Sequence, residues 1–495
     1  MIRAPIVALL LTAWAAHAAK PNIIVLLADD MRWDAMSCAG NPALQTPNID
    51  RLAAEGTLFR NAFVTTSICS VSRASILTGQ YARRHGIHDF KTPLADLGAT
   101  YPAILRKAGY WTGFMGKWGT AQNDRDYFRR CAESFDFWAG DMGQTSYWHA
   151  RGCNYVTNDG TTNRANFFCD CPQEARAREG TGDKGPHPAL KDPIHLETQI
   201  FPAKIRTFLE GRDPAKPFCL SVSFKAPHGP WGGCAPEFAG AFAGAAMPSR
   251  PNVSREDALR QPDFLRASLE SDRGLRFAED PSPDGPLQDA QRQYYRLILG
   301  VDRCIGELLG ELQKRDLARD TVIIFTSDNG HFLGEHGFFG KWLMHEESIR
   351  VPLIVSGPAA LFGKHGQTCD EMALNIDIAP TALDLAAIPV PPSMQGRSLQ
   401  PQLQQPARPV RESFFYEHLY EHAPAPPRHI EPCEGVRTRD WKYISYIRQN
   451  GPAAEALFDL KNDPFETTNL VSDRFFKPRL IDMRQRIEMF RRSLK

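Results

Sequence analysis

In the stretch Asn22-Ile23-Ile24-Val25-Leu26-Leu27-Ala28-Asp29-Asp30, apolar residues run unbroken from Ile23 to Leu27 and the run stops at two carboxylates. A strand with one wet face alternates apolar and polar residues, so an unbroken run predicts a strand covered on both faces, as in a mostly parallel sheet. Trp111 to Met115, Phe218 to Phe224, Val322 to Thr326 and Leu353 to Val355 read the same way. Between strands the apolar spacing changes to three and four. From about Leu287 to Arg315, the residues Tyr294, Leu297, Ile298, Val301, Ile305, Leu308 and Leu312 form one stripe of an amphipathic helix. Strands alternating with such helices predict an α/β fold whose large, mostly parallel sheet is sandwiched by helices.

Outward from this core, Gln173 to Pro193 and Ala278 to Pro286 are rich in Gly, Pro and charge without apolar period, and are expected to be surface loops or insertions. Pro389 to Pro409 is dense in Pro and Gln, and beyond it come short mixed strands such as Trp441 to Tyr446 and a last helix near Lys477 to Arg492. The expected organisation is a main domain over 19–388, a linker over 389–409 and a smaller C-terminal α+β domain over 410–495.

The chain has 495 residues, 58 Lys+Arg against 57 Asp+Glu and a net charge of +1, which gives no electrostatic case for nucleic acid. Arg3, the apolar run Ile6 to Ala16 and the small-residue pattern Ala16-His17-Ala18 have the order of a secretory signal peptide over residues 1–18, too short to span a bilayer. No second segment offers an anchor, so a secreted or periplasmic protein without a membrane anchor is expected. Eleven cysteines suit an oxidising compartment, and their odd number leaves at least one unpaired or chemically different. Cys169-Asp170-Cys171 with Cys153 nearby reads as a local disulfide cluster; a zinc site is the alternative, although the spacing is not that of the usual paired-Cys sets.

Ligands of open α/β sheets collect beyond the carboxyl ends of the strands. There the sequence places Asp29-Asp30, Gly116-Lys117, Ala226-Pro227-His228 and Ser327-Asp328-Asn329-Gly330. Asp29, Asp30, Asp328 and the Asn329 amide carbonyl are hard oxygen donors suited to Ca²⁺ or Mg²⁺. Their mutual repulsion would be unfavourable without a cation, so one metal ion sharing a rim with Lys117 and His228 is the economical expectation.

The sharpest motif is Cys69-Ser70-Val71-Ser72-Arg73-Ala74-Ser75-Ile76-Leu77-Thr78-Gly79. It resembles the sulfatase signature, in which a Cys followed four residues later by Arg is oxidised after synthesis to formylglycine. The likeness extends through Asp29-Asp30, Pro227-His228, Ser327-Asp328-Asn329-Gly330 and Gly340-Lys341-Trp342 to Leu460-Lys461-Asn462-Asp463-Pro464. The chain is thereby identified as a member of the formylglycine-dependent sulfatases of the alkaline phosphatase superfamily, which implies an alkaline-phosphatase-like fold. The resemblance implies that Asp29, Asp30, Asp328, Asn329 and the formylglycine made from Cys69 hold one Ca²⁺, with Mg²⁺ second. It further implies that Arg73 holds the nucleophile, Lys117 and Lys341 neutralise sulfate charge, and His228 protonates the leaving alcohol. A sulfated carbohydrate is the implied substrate and a formylglycine-generating maturase the implied partner during biosynthesis; the sugar, the sulfated position and the oligomeric state stay open.

Two positions depart from the family pattern. Val71 stands where Pro or Ala is common, and Gly119 stands where many members carry a His after Gly-Lys-Trp; His331 and His345 are candidates for that role. His88, His336 and the loop from Tyr147 to Asn166 are candidate substrate contacts, and Glu434-Gly435-Val436-Arg437-Thr438 resembles the C-terminal segment that approaches the cleft. Asn252-Val253-Ser254 is a glycosylation sequon. A phosphodiesterase or phosphonate hydrolase on the same scaffold, and a non-catalytic sulfated-glycan-binding protein with unconverted Cys69, are the competing functions.

Overall fold

The computed structural model describes residues 20–122, 124–161, 169–172, 185–278, 285–420, 429–448 and 453–494. The signal-peptide segment, 162–168 of the polar loop, 173–184 of the first insertion and 279–284 of the second lie outside the described residues. In chain order the strands are β1 (Asn22–Ala28), β2 (Gly56–Phe63), β3 (Trp111–Lys117), β4 (Phe137–Asp141), β5 (Trp148–Ala150), β6 (Pro193–His195), β7 (Phe218–Ser223), β8 (Thr321–Ser327), β9 (Phe332–Leu333), β10 (Phe339–Gly340), β11 (Arg350–Val351), β12 (Leu353–Ser356) and β13 (Gln367–Leu374). Four more follow: β14 (Ser413–His418), β15 (Cys433–Thr438), β16 (Trp441–Tyr446) and β17 (Ala454–Asp459).

Nine strands make the central sheet in the order β11-β2-β12-β8-β1-β7-β3-β4, with β13 beside β2. From β8 to β4 neighbours are parallel, whereas β12 runs antiparallel to both β8 and β2. The unbroken apolar run of β1 now has a physical reason. Ile23, Val25 and Leu27 join one core layer while Ile24, Leu26 and Ala28 join the other, because successive side chains leave a strand on opposite faces. In β8, Val322 and Ile324 divide from Ile323 and Phe325 in the same way. Each such side chain is worth about 1.5–3 kcal/mol when fully buried.

The long helix spans Pro286–Lys314, with Pro at its first turn where no N–H is needed, and its stripe from Tyr294 to Leu312 packs on the second core layer. The Pro/Gln-rich segment does not hang free: Leu399 and Leu403 are buried, and the amides of Gln395 and Gly396 donate to the Gly79 carbonyl at 2.8 and 3.0 Å.

Beyond it β14-β15-β16-β17 form an antiparallel sheet backed by the helix Lys477–Ser493. Ion pairs fasten this unit to the large sheet. Lys442, fully buried, lies 2.9 Å from Glu346 and 2.7 Å from Glu466, while Arg437 pairs with Glu346 and stacks over Phe63. The segment Glu434 to Thr438 is therefore a brace in the seam: Glu434 is tied to Arg83 and Arg491.

All eleven cysteines are thiols, so the expected disulfide cluster does not form. Cys153, Cys169 and Cys171 do meet, but around His149. The sequon asparagine is also unlike a glycan acceptor, since Asn252 is fully buried with its amide on His336 and the Phe465 carbonyl. Among the described residues no helix is long and apolar enough to cross a membrane.

Candidate active site

The carboxyl ends of β1, β3, β7 and β8 converge, and the residues that follow them meet in one buried cluster. The Asp29 carboxylate accepts from Lys117 Nζ at 2.5 Å and lies 3.3 Å from an Arg73 nitrogen. Asp30 sits in the left-handed region, φ 68°, which turns its side chain back over the strand ends. Its backbone N–H donates to Asp328 at 3.1 Å, and its carboxylate accepts from Lys341 and from the Asn329 amide at 2.5 Å.

Cys69 is the first residue of the helix Cys69–Thr78, every residue of which is buried. Ile68 is extended and Gly79, φ 66°, ends the helix in the left-handed conformation that glycine adopts without strain. The free N–H groups and positive dipole end of this helix favour an anion near Cys69. One ligand atom each from Asp29, Cys69 and Asp328 lie within 4.8 Å of one another, as do those of Asp29, Asp30 and His228. Val71 is fully buried in the core, where an apolar side chain is needed.

Arg73 ties the parts together. Its Nε donates to Asp328 at 2.8 Å and its Nη1 to the Lys117 carbonyl at 2.7 Å and to the Ser223 hydroxyl. Gly119 has φ 96°, and a β-carbon there would stand 2.6 Å from Arg73 Cδ, so the guanidinium arm occupies the space a side chain at 119 would need. The role expected of a His at that position has no room here.

Three carboxylates and three fixed cations balance before any metal is counted. Burial pushes the Asp29 carboxyl up, but Lys117, His228 and Arg73 outweigh it and hold it well below the usual range. Burial pushes Asp30 up as well, but Lys341, His228 and His331 together outweigh it and lower the group to about 2. Asp328 goes the other way, raised to about 6 by burial and the charge of Asp29 against Arg73. Crowded carboxylates of this kind are relieved by a cation. The carboxylate Oδ1 of Asp29 and the amide Oδ1 of Asn329 are buried without a hydrogen-bond donor, two hard oxygens left over in a donor set that fits Ca²⁺.

His228 follows the cis Ala226-Pro227 bond. Its Nδ1–H donates to the Gly229 carbonyl at 2.5 Å, leaving Nε2 to face Asp30 at 3.6 Å, and burial lowers it to about 4.

Several contributors carry no motif. Ser223 ends β7; the Tyr294 hydroxyl donates to the Asp30 carbonyl at 2.7 Å; Gln144 lies 3.5 Å from Asp29; and the Tyr147 hydroxyl donates to the His228 carbonyl at 2.6 Å. Ser223 had a signal in its place at a strand end, and Tyr147 in its place at the start of the loop proposed as a substrate contact. His331, a candidate for the role left open at Gly119, packs beside Trp231 and Tyr294, and His88, proposed as a substrate contact, is half-buried. His336 and His345 are buried together among Phe332 and Phe338, and His336 bonds to Asn252, so both serve packing.

A fold with strand-end carboxylates around a Cys that opens a buried helix matches known proteins over 96% of the chain. Residues 21–388 match the family model described as Sulfatase, and residues 334–493 match that of N-sulphoglucosamine sulphohydrolase, C-terminal. An N-acetylglucosamine-6-O-sulfatase of Bacteroides thetaiotaomicron is 31% identical over 96% of this chain and 87% of its own length. A protein solved in complex with its substrate D-glucosamine-2-N,6-O-disulfate superposes with a TM-score of 0.72 at 29% identity, covering 96% of this chain and 98% of the other. The phosphonate monoester hydrolase of Agrobacterium radiobacter shares the fold, with a TM-score of 0.75 at 22% identity over 96% of each chain. The chain belongs to the sulfatase family of the alkaline phosphatase superfamily. It is a sulfuric ester hydrolase.

Proposed function

We propose that this sulfatase removes a sulfate ester from a sulfated carbohydrate, a sulfated glucosamine in the first instance, using a formylglycine made from Cys69 and one Ca²⁺. The observation that carries this reading is the meeting of Cys69 Sγ with the carboxylates of Asp29 and Asp328 at the head of a buried helix. The glucosamine preference is drawn from the sulfated glucosamines named for the similar sulfatase and for the solved complex, at 31% and 29% identity. A secretory signal over 1–18, a catalytic domain over 19–388, a linker over 389–409 and a C-terminal domain over 410–495 complete the proposal, with export and a maturase as its biosynthetic requirements.

Asp29, Asp30, Asp328 and Asn329 would hold the metal, together with position 69. Bound there, Ca²⁺ supplies a Lewis acid that polarises the sulfate oxygens. Formylglycine supplies a hydrated aldehyde, one hydroxyl to attack sulfur and a second whose deprotonation releases the sulfate and restores the aldehyde.

The remaining work falls to residues present in the chain. Arg73, pinned by Asp328, Ser223 and the Lys117 carbonyl, keeps its charge beside position 69 and cannot swing away. Lys117 and Lys341 hold Asp29 and Asp30 ionised and place positive charge where the sulfate gains negative charge. At an effective dielectric near 20, each such charge at about 4 Å is worth about 4 kcal/mol. His228 commits Nδ1–H to Gly229, so Nε2 is the atom that moves the proton to the leaving oxygen; the arriving anion opposes the effect of burial and favours its charged form.

The test is co-expression with a formylglycine-generating maturase, followed by peptide mass at position 69 and sulfate release from glucosamine 6-sulfate, N-acetylglucosamine 6-sulfate and a matched phosphonate monoester. Replacement of sulfur by oxygen with loss of two hydrogens, and faster turnover of a sulfated sugar, is the expected result. Fully converted protein that turns over only the phosphonate would assign the scaffold's phosphorus chemistry instead.

A further inference from the structure

Away from the sulfate-binding centre, His149 on β5, Cys153 at the head of the short helix Asn154–Thr157, Cys169 and Cys171 bring four ligand atoms within 4.8 Å of one another. His149 Nδ1 lies 3.3 Å from Cys169 Sγ and 3.8 Å from Cys153 Sγ. In a tetrahedral zinc site with Zn–S near 2.3 Å, the ligand atoms stand about 3.8 Å apart, so these separations already fit the metal. A disulfide needs a sulfur–sulfur bond of about 2 Å and has no use for an imidazole among the sulfurs.

We propose that His149, Cys153, Cys169 and Cys171 form a structural zinc site that fixes one wall of the catalytic cleft. Three thiolates and an imidazole are a soft donor set, unlike the hard oxygens at the strand ends, so the two centres select different ions. Binding releases three thiol protons to solvent.

The surroundings are built for it. The Nε2–H of His149 donates to the Ser146 carbonyl at 3.0 Å, which leaves Nδ1 with its lone pair toward the sulfurs, and Tyr155 stacks on the ring at 5.0 Å. The Ala150 N–H donates to Cys171 Sγ at 3.3 Å, a contact that stabilises a thiolate. Lys204 sits over the Tyr155 ring and donates to the Asn158 carbonyl at 2.7 Å, placing a cation beside a site that would carry one net negative charge. His149, Cys153 and Cys171 are buried and Cys169 is partly so, giving a closed site without an open position for catalysis.

The same loop reaches the catalytic centre. Thr145 accepts from Lys225 at 2.5 Å, the Tyr147 hydroxyl holds the His228 carbonyl, and Gln144 stands beside Asp29. A metal at His149 would thus set the position of the loop that orients His228. These four are positioning residues, not catalytic ones.

The experiment is metal analysis of the exported, full-length protein after dialysis against EGTA, with thiol and peptide mapping under non-reducing conditions. Roughly one zinc per chain should remain. Zinc titration monitored with a chromogenic chelator should show about tenfold or more weaker binding in Cys169→Ser, whose partly exposed position spares the fold, and in Cys171→Ser. His228 orientation supplies a second readout: Cys169→Ser should shift the pH profile of kcat/KM, and added Zn²⁺ should restore wild type stripped of its zinc. Absence of zinc from wild type, a disulfide joining any two of Cys153, Cys169 and Cys171, or unchanged zinc affinity in Cys169→Ser would overturn the proposal.

Discussion

Arg73 stands where a side chain on Gly119 would have to go: a β-carbon at 119 would lie 2.6 Å from Arg73 Cδ, and Gly119 has φ 96° besides. Gly119→Ala therefore meets two penalties, the left-handed backbone at about 1–2 kcal/mol and displacement of an arginine held at three points. We expect folded protein with kcat lowered roughly 10- to 100-fold, the rate equivalent of about 1.4–2.7 kcal/mol. Steady-state kinetics with circular dichroism checks this; Gly119→Ala with wild-type kcat would contradict the clamp.

Ser223 offers a gentler probe of the same clamp. Its hydroxyl accepts from Arg73 and donates to the Lys117 carbonyl at 2.7 Å. Ser223→Ala removes hydrogen bonds worth about 1–3 kcal/mol when one partner is charged, and should lower kcat about tenfold with little change in KM. A rise in KM with kcat unchanged would instead point to loss of substrate binding.

Metal removal should weaken the fold as well as the chemistry, because Asp29 Oδ1 and Asn329 Oδ1 are buried without donors and Asp328 is raised to about 6 by burial and the charge of Asp29. EGTA should abolish sulfate release and lower Tm, and Ca²⁺ at about 100 times its Kd should return about 2.7 kcal/mol of stability. Differential scanning calorimetry across a Ca²⁺ series measures this directly. A Tm independent of Ca²⁺ would exclude Asp29, Asp30, Asp328 and Asn329 as its ligands.

His418 makes stability depend on pH away from the site. Burial lowers it from 6.5 to about 3, so it stays neutral in the fold while an unfolded chain takes up a proton below 6.5. Its contribution is complete above pH 6.5 and is lost as pH falls toward 3. Between pH 7.5 and 4.5 the wild type should lose about 2 kcal/mol more than His418→Phe in urea unfolding. Parallel losses would show that His418 is not the group responsible.

How far the sequence reached depends on where each residue's information lies. β1 and β8 were legible because two-sided burial writes itself as an unbroken apolar run, and the carboxylates after them because strand ends are where such sheets carry ligands. Arg73 was legible through its spacing from Cys69. Tyr294 and Gln144 reach the cluster from a distant helix and loop, so no local pattern marks them, whereas Tyr147 stands at the start of the loop proposed as a substrate contact. His149 is a lone histidine in sequence, and without it Cys153, Cys169 and Cys171 read as a disulfide cluster. His336 and Asn252 misled for the opposite reason: a histidine in a Gly-flanked loop and a sequon look exposed, yet they bond to each other at 3.1 Å in the interior. The Glu434 to Thr438 segment is placed near the cleft by its resemblance to the family alone, and here its charges pair with Arg83, Arg491 and Glu346.

Sulfate release by the matured enzyme tests the formylglycine mechanism at position 69. Protein co-expressed with a maturase and shown by mass to carry formylglycine at position 69 is compared with Cys69→Ala, both in Ca²⁺, on glucosamine 6-sulfate, with free sulfate read by ion chromatography. That mechanism predicts steady release by the converted protein and none above background by Cys69→Ala. Equal release by the two proteins would contradict it.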